Sequence, residues 1–262
     1  MDHTFVVLAY GECPHLDACL TSVLAQRGVT STVIVATSTP STFIDKIAMK
    51  HGVPVRTNPA GGSIAADWSF GYSIAQSRWL TLAHQDDAYA PEYLATLSQL
   101  VAARDDVLIA FAGFIEHTYG VARPTSVNHR IKRALSETTF LGRRFVSAPS
   151  AKRRMFLFGN PICCPTVLFN RERIGVLRFD ETLHSNLDWA AWLALAERDG
   201  AFAYCRRALV WRQVHRDSAT TALIQDSRRP HEDRRMFRQL WPAPVADAIA
   251  KVYRLSHRAN ET

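Results

Sequence analysis

Four short apolar runs constrain this chain more than any other feature. They are residues 4–9 (TFVVLA), 32–36 (TVIVA), 79–83 (WLTLA) and 107–112 (VLIAFA). Each has strand length, and segments of helical character separate them. After the first, a turn at Tyr10-Gly11-Glu12 leads to Leu16, Cys19, Leu20, Val23 and Leu24 at helical spacing, closing near Gly28. The second run is apolar throughout, like strands buried on both faces of a parallel sheet. Ser38-Thr39-Pro40-Ser41 ends it, before a helix over about 41–51 and a short strand at 53–56. Asn58-Pro59-Ala60-Gly61-Gly62 is a loop, and 64–76 has helical character. The third run ends in His84-Gln85-Asp86-Asp87, and Pro91 opens a helix to about residue 103. Such alternation implies right-handed βαβ units and an α/β domain with a doubly wound, mostly parallel sheet. Ligands bind beyond the carboxyl ends of such strands. The segments 10–12, 37–39 and 84–87 should therefore converge on one crevice.

The rest of the chain is less regular. Residues 117–158 are basic and weakly periodic, and no element can be assigned there. A strand is expected over ICCPTVLF (162–169), a helix over 186–199 capped by Gly200, and one or two strands over 201–214. The tail, about 228–257, reads as two amphipathic helices around Trp241-Pro242. The expected division is a main domain over 1–220 and a helical extension of that domain over 221–262.

The 262 residues, 47% hydrophobic and 21% charged, suit one large α/β domain or two small ones. No apolar run approaches the roughly 20 residues that span a bilayer. The opening MDHTFVVLAYGE lacks the basic start of a signal peptide, so a cytoplasmic protein is expected. Five cysteines without a CxxC pair argue against a disulfide framework or structural zinc. The net charge of +7 is uneven. Arg123, Arg130, Lys132, Arg133, Arg143, Arg144, Lys152, Arg153 and Arg154 share one stretch with only Glu137 opposing. Such a stretch is either a solvated face or an attractor of polyanions: phosphates, nucleic acid or an anionic membrane face.

The most informative tetrapeptide is His84-Gln85-Asp86-Asp87. Carboxylates clustered at the end of a buried strand are costly unless neutralised. A hard divalent cation neutralises them and can also bridge the oxygens of a diphosphate. The plainer alternative is a loop capping the helix after Pro91. Asp188 lies in the first turn of its helix, after Ser185-Asn186. It can cap that helix, or remain ionised as a general base with Trp189 and Trp192 excluding water. Arg212, His215 and Arg216 follow a late strand, where they are surface charge, a diphosphate clamp or, for His215, a metal ligand.

These motifs, in this order, resemble glycosyltransferase family 2 with its GT-A fold, over most of residues 4–220. VVLAYGECPHLDACLTSVLAQ resembles the family's first strand, turn and helix. NPAGGSIAADWSFGYSIAQ is similar to its asparagine–glycine loop and following helix, and WLTLAHQDDAYAPEYL to its Asp-x-Asp segment. SNLDWAAWLALAERDGAFAYCRRALVWRQVHRDSATT looks like its Glu-Asp helix and its arginine/histidine segment.

The resemblance implies an inverting transfer of sugar from a nucleoside-diphosphate sugar, UDP-linked by preference, to an acceptor hydroxyl. Mn2+ or Mg2+ would be the cofactor. The metal ligands would be Asp86, His84 and His215. Ala9, Tyr10, Glu12, Thr37, Ser38, Asp67, Trp68, Asp87 and Arg212 would bind the donor, Tyr10 flanking its base. Asp188 would be the catalytic base. The donor site would fall mainly in 1–115 and the acceptor and catalytic part in 116–220. The acceptor would be a carbohydrate or lipid-linked molecule of cell-surface polysaccharide or glycolipid synthesis, met at the inner face of the membrane; no nucleic-acid partner is implied.

Three positions depart from the family pattern. His84 replaces the first Asp of Asp-x-Asp, Thr37-Ser38-Thr39 replaces the acid after the second strand, and Asp67-Trp68-Ser69 replaces an Arg-Asn pair. Together they resemble a variant subgroup with Ser-Thr-Pro, Asp-Trp and His-Gln-Asp-Asp. Two rival functions are a non-catalytic nucleotide-sugar binder and a nucleotidyltransferase. The second needs a cationic, Gly-rich phosphate loop that Tyr10-Gly11-Glu12 does not supply.

Overall fold

The computed structural model describes residues 1–118, 121–123, 127–214 and 228–258. Its first half runs β1 (His3–Ala9), α1 (Leu16–Leu24), β2 (Thr32–Thr37), α2 (Thr42–Lys50), β3 (Val55–Thr57), α3 (Ile64–Ile74), β4 (Trp79–His84), β5 (Ala88–Tyr89), α4 (Tyr93–Val101) and β6 (Val107–Thr118). The second half runs β7 (Val121–Arg123), α5 (Val127–Phe140), β8 (Phe145–Val146), α6 (Pro149–Arg154), β9 (Val167–Asn170), α7 (Arg171–Ile174), α8 (Leu187–Ala196), β10 (Ala201–Val214), α9 (Arg229–Arg238) and α10 (Ala243–Arg258).

The strands form one sheet in the order β3-β2-β1-β4-β9-β6-β10-β5, with β7 on β6 and β8 on β10. The longest pairings are parallel: β1 with β2, β1 with β4, and β6 with β10. β9 runs antiparallel between β4 and β6. This is the expected α/β architecture.

β1 shows why its run is apolar throughout. Phe5 and Val7 face one core with Leu16, Leu20, Ile44 and Leu97, while Val6 and Leu8 face the other with Leu82, Phe111, Trp189 and Trp192. Both faces are covered by helices, so neither alternate set of side chains meets water. α3 lies so close to β1 that a Cβ on Gly71 would stand 2.7 Å from Leu8 Cδ2. The tail joins the second core through Met236, Phe237 and Ala246. The five cysteines are buried and free.

Two expectations need correction. The run ICCPTVLF is a strand only from Val167; Cys164–Thr166 forms a 3-10 turn. Pro165 has no N–H to give to a ladder, which excludes it from a central strand. The helix expected over 186–199 ends at Ala196, and Gly200 immediately precedes β10 rather than capping α8. Gly200 has φ +120, and a Cβ there would lie 2.6 Å from the Asp106 carbonyl oxygen.

The basic middle stretch is partly internal. Lys152 is fully buried and donates to the carbonyls of Arg198 and Gly200. Arg153 pairs with Glu197, and Glu137 with Arg206. Among the described residues, no helix is long and apolar enough to cross a membrane.

Candidate active site

Parallel register sets the site. Ala9 stands opposite Thr37, and Leu8 opposite His84, so three strands end side by side. The segments that follow are bonded to one another. The Tyr10 N–H donates to Gln85 Oε1 at 2.9 Å, and Gln85 Nε2 returns a bond to the Tyr10 carbonyl at 2.9 Å. The Gly11 N–H donates to Thr39 Oγ1 at 2.8 Å. Ser38 Oγ donates to one Asp67 oxygen at 2.6 Å, and Asn58 Nδ2 to the other at 2.8 Å. The expected convergence of 10–12, 37–39 and 84–87 is therefore present.

Within this crevice the candidate donor residues differ in exposure. Tyr10 is 65% exposed, leaving its ring open to a planar ligand, and Glu12 is exposed at the rim. Ala9 and Thr37 are buried, and Thr37 Oγ1 accepts the Thr39 N–H at 3.0 Å, shaping the loop from inside. Trp68 lies beside the His84 ring, centroids 4.9 Å apart, and packs edge-on against Phe179 at 5.1 Å.

His84, Asp86 and Asp87 offer ligand atoms that all lie within 4.8 Å of one another. β5 then pairs antiparallel with β10, Ala88 opposite Trp211, which brings Arg212 and Gln213 to Asp87. The Gln213 N–H donates to Asp87 Oδ1 at 3.2 Å. Two buried atoms of this cluster have no hydrogen-bond partner among the described residues: His84 Nε2 and Asp87 Oδ2. Unpaired buried polar atoms are costly and rare. Burial pulls the His84 imidazole down to about 4, which leaves a neutral ring with a lone pair to donate. Burial, with the Asp86 charge beside it, pushes the Asp87 carboxyl well above its ordinary range. Both anomalies are what a bound cation would relieve, so the donor set fits a hard-to-borderline divalent ion.

Asp188 sits in the first turn of α8, as expected. Its Oδ1 accepts the Trp189 N–H at 2.7 Å. Burial raises its carboxyl; Lys132, the Trp189 N–H, Arg212 and Arg229 pull the other way. The Arg212 charge acts on Asp87 as well as on Asp188, so it links the cation cluster to the candidate base. Arg212 also lies 3.6 Å from Glu116. His215 and Arg216 fall outside the described residues.

Residues 4–172 match the family model described as glycosyl transferase family 2. The chain belongs to this family. Among solved structures, residues 1–349 of Staphylococcus aureus TarS resemble this glycosyltransferase chain with a TM-score of 0.64 at 13% identity. That likeness covers 99% of this chain and 72% of the other. The UDP-GlcNAc complex of the same TarS segment gives 0.64 at 13%, covering 99% and 73%. The mannosyltransferase PcManGT from Pyrobaculum calidifontis, solved with GDP-Man and Mn2+, gives 0.63 at 16%, covering 99% and 70%. At these identities the likeness establishes the GT-A fold. No curated protein sequence matches the chain.

Several side chains at the site were given no individual role by the sequence. Gln85 ties two loops, Glu116 faces Arg212, and Lys132 bears on Asp188. Asn58 could have been found, because an Asn before Pro-Ala-Gly-Gly is suited to turn the chain, and its Oδ1 accepts the Ala60 N–H at 3.1 Å.

Proposed function

We propose that this family member transfers a glycosyl group, with inversion, from a nucleoside-diphosphate sugar to an acceptor hydroxyl. The observation that carries this reading is the pair of buried, unpartnered ligand atoms, His84 Nε2 and Asp87 Oδ2, with Asp86 beside them. His84, Asp86 and Asp87 would hold Mn2+ or Mg2+ there, and the ion would supply positive charge for the diphosphate leaving group. Tyr10 flanks the base, and Ser38, Asp67 and Trp68 line the donor side in the variant His-Gln-Asp-Asp arrangement. Arg212 attracts the diphosphate. Asp188 removes the acceptor proton, and the acceptor oxygen bonds to the anomeric carbon as its bond to the diphosphate breaks.

A UDP-sugar is the favoured donor. The division into a donor part over 1–115, a catalytic part over 116–220 and a tail of the same domain is supported by the tail's side chains in the second core. The exposed cations Arg130, Arg133, Arg143, Arg144 and Arg154 support weak contact with the anionic inner face of a membrane, where a lipid-linked or polysaccharide acceptor would be met.

The test is release of nucleoside diphosphate from a panel of nucleotide sugars with Mn2+. Release, with sugar appearing on an added acceptor, is expected. Binding without release at any metal concentration would favour the second reading, a non-catalytic nucleotide-sugar binder, which the uncharged His84 ligand favours.

A further inference from the structure

The amino end of α8 has no cap from the residue in its N-cap position. Asn186, in the N-cap position, makes no side-chain bond to the helix backbone. Its Nδ2 instead donates to Asp233 Oδ1 at 2.8 Å. The three residues leading into the helix turn their N–H groups onto one carboxylate far along the chain. Glu232 Oε1 accepts from the His184 N–H at 2.7 Å. Glu232 Oε2 accepts from the Ser185 N–H at 2.8 Å, the Ser185 hydroxyl at 2.6 Å and the Asn186 N–H at 3.1 Å. Three successive N–H groups make an anion-binding nest, here filled by a side chain of α9. Glu232 is 7% exposed. Burial pushes its carboxyl up, and the bonds from the Ser185 hydroxyl and the backbone outweigh that, leaving it below the ordinary range.

The opposite end of α8 has the complementary charge. The Lys152 ammonium donates to the Arg198 and Gly200 carbonyls just beyond it. An anion at the amino end and a cation at the carboxyl end both oppose the helix dipole. The body of α8 is fixed separately, by Trp192, Leu193, Leu195 and Ala196 in the second core. Removing Glu232 should therefore loosen the first turn while leaving the helix in place. Asp188 is in that turn, two residues beyond Asn186.

We propose that Glu232 is a positioning residue for glycosyl transfer, holding the entry to α8 so that Asp188 meets the acceptor hydroxyl. This rests on the reading of Asp188 as the base. A displacement of about 1 Å in a reacting group costs on the order of 100-fold in rate. A partial loss of position should cost about 10-fold or more.

The experiment is a cycle of Glu232→Gln, Asp188→Asn and the double variant. Turnover, donor KM, Mn2+-dependent nucleotide affinity and melting temperature are measured for each. Glu232→Gln keeps the shape but turns an NH2 group toward N–H donors. We expect its kcat to fall about 10-fold or more, with donor KM and nucleotide affinity within about 2-fold of wild type. The double variant should be no slower than Asp188→Asn alone, because Glu232 acts only through Asp188. Ser185→Ala, which removes one of the five bonds to Glu232, the fifth being that of His184 Nδ1 at 3.3 Å, is the milder probe if Glu232→Gln does not fold. Its kcat should fall about 3-fold with the same non-additivity.

Full activity in Glu232→Gln beside an inactive Asp188→Asn would overturn the positioning role alone. So would a loss in the double variant that multiplies the two single losses. Full activity in Asp188→Asn would overturn the base assignment beneath it.

Discussion

The two sides of the site are held by different means. On the donor side, support is local to the ends of a parallel sheet. β1, β2 and β4 stop in register, and the loops after them bond to one another through Gln85, Thr39, Ser38 and Asp67. On the Asp188 side, support comes from the tail. Glu232 and Asp233 hold residues 184–186, and Phe237 packs on Trp189 at 5.0 Å. The candidate donor side is therefore built by strand register, whereas the surroundings of Asp188 are built by docking of a distant helix. Damage to the two sides should separate experimentally.

The largest effect should follow from breaking the donor side at its cation cluster. Asp86→Ala is expected to lower turnover by about 1000-fold, the upper range for losing one electrostatic stabiliser, and to remove Mn2+-dependent nucleotide binding. The fold should persist, because Asp86 is not in either core. Circular dichroism and nucleotide titration check both parts; unchanged turnover would remove Asp86 from the site.

Asp188→Asn breaks the other side. Turnover should fall about 100-fold while nucleotide affinity survives. The proposed role of Asp188 as base requires its ionised carboxylate, and burial raises its pKa. The acidic limb of the pH–rate profile should therefore lie above the ordinary aspartate value of about 3.9, with activity lost as pH falls through it. A limb that persists unchanged in Asp188→Asn would assign it to another group.

Lys152→Met sharpens the comparison by testing support without chemistry. It leaves the Arg198 and Gly200 carbonyls without their shared donor. Unfolding free energy should fall by about 2–3 kcal/mol, measured by urea denaturation, with kcat per folded molecule nearly unchanged.

The smallest effect concerns the sheet itself. His3 is buried, bonded to Ser31 and Thr81, and burial pulls its pKa down to about 3. The unfolded chain takes up a proton near pH 6.5 and the folded one does not. This contribution is intact above about 6.5 and declines as pH falls toward 3. At pH 5.5 the loss should be about 1.4 kcal/mol. His3→Gln should lack it, so a wild-type advantage that did not shrink between pH 7 and 5.5 would contradict the buried neutral state.

The same contrast explains what could be read from sequence. β1, β2, β4 and β6 announce themselves because burial on both faces demands continuous apolar runs, as in Phe5-Val6-Val7-Leu8. Register then carries Tyr10, Ser38 and the His84–Asp87 segment to one place without further information. The basic middle stretch was opaque because its order depends on tertiary partners, such as Glu197 for Arg153 and two carbonyls for Lys152. Glu232 was invisible for the same reason. Its α9 is strongly polar in sequence, and nothing local marks which acid turns inward to residues 184–186. The strand expected at ICCPTVLF failed at Pro165, where hydrophobicity argued for a ladder and the missing N–H forbade most of it.

The account rests centrally on a cation held by His84, Asp86 and Asp87. Pulsed electron paramagnetic resonance of Mn2+ bound to the protein with UDP tests it most directly. A nitrogen coupling from a directly bound imidazole should be present in the wild-type protein and absent in His84→Gln, with Mn2+ affinity weakened in Asp86→Ala. Mn2+ bound with equal affinity in all three proteins, and the same spectrum in His84→Gln as in wild type, would contradict the account.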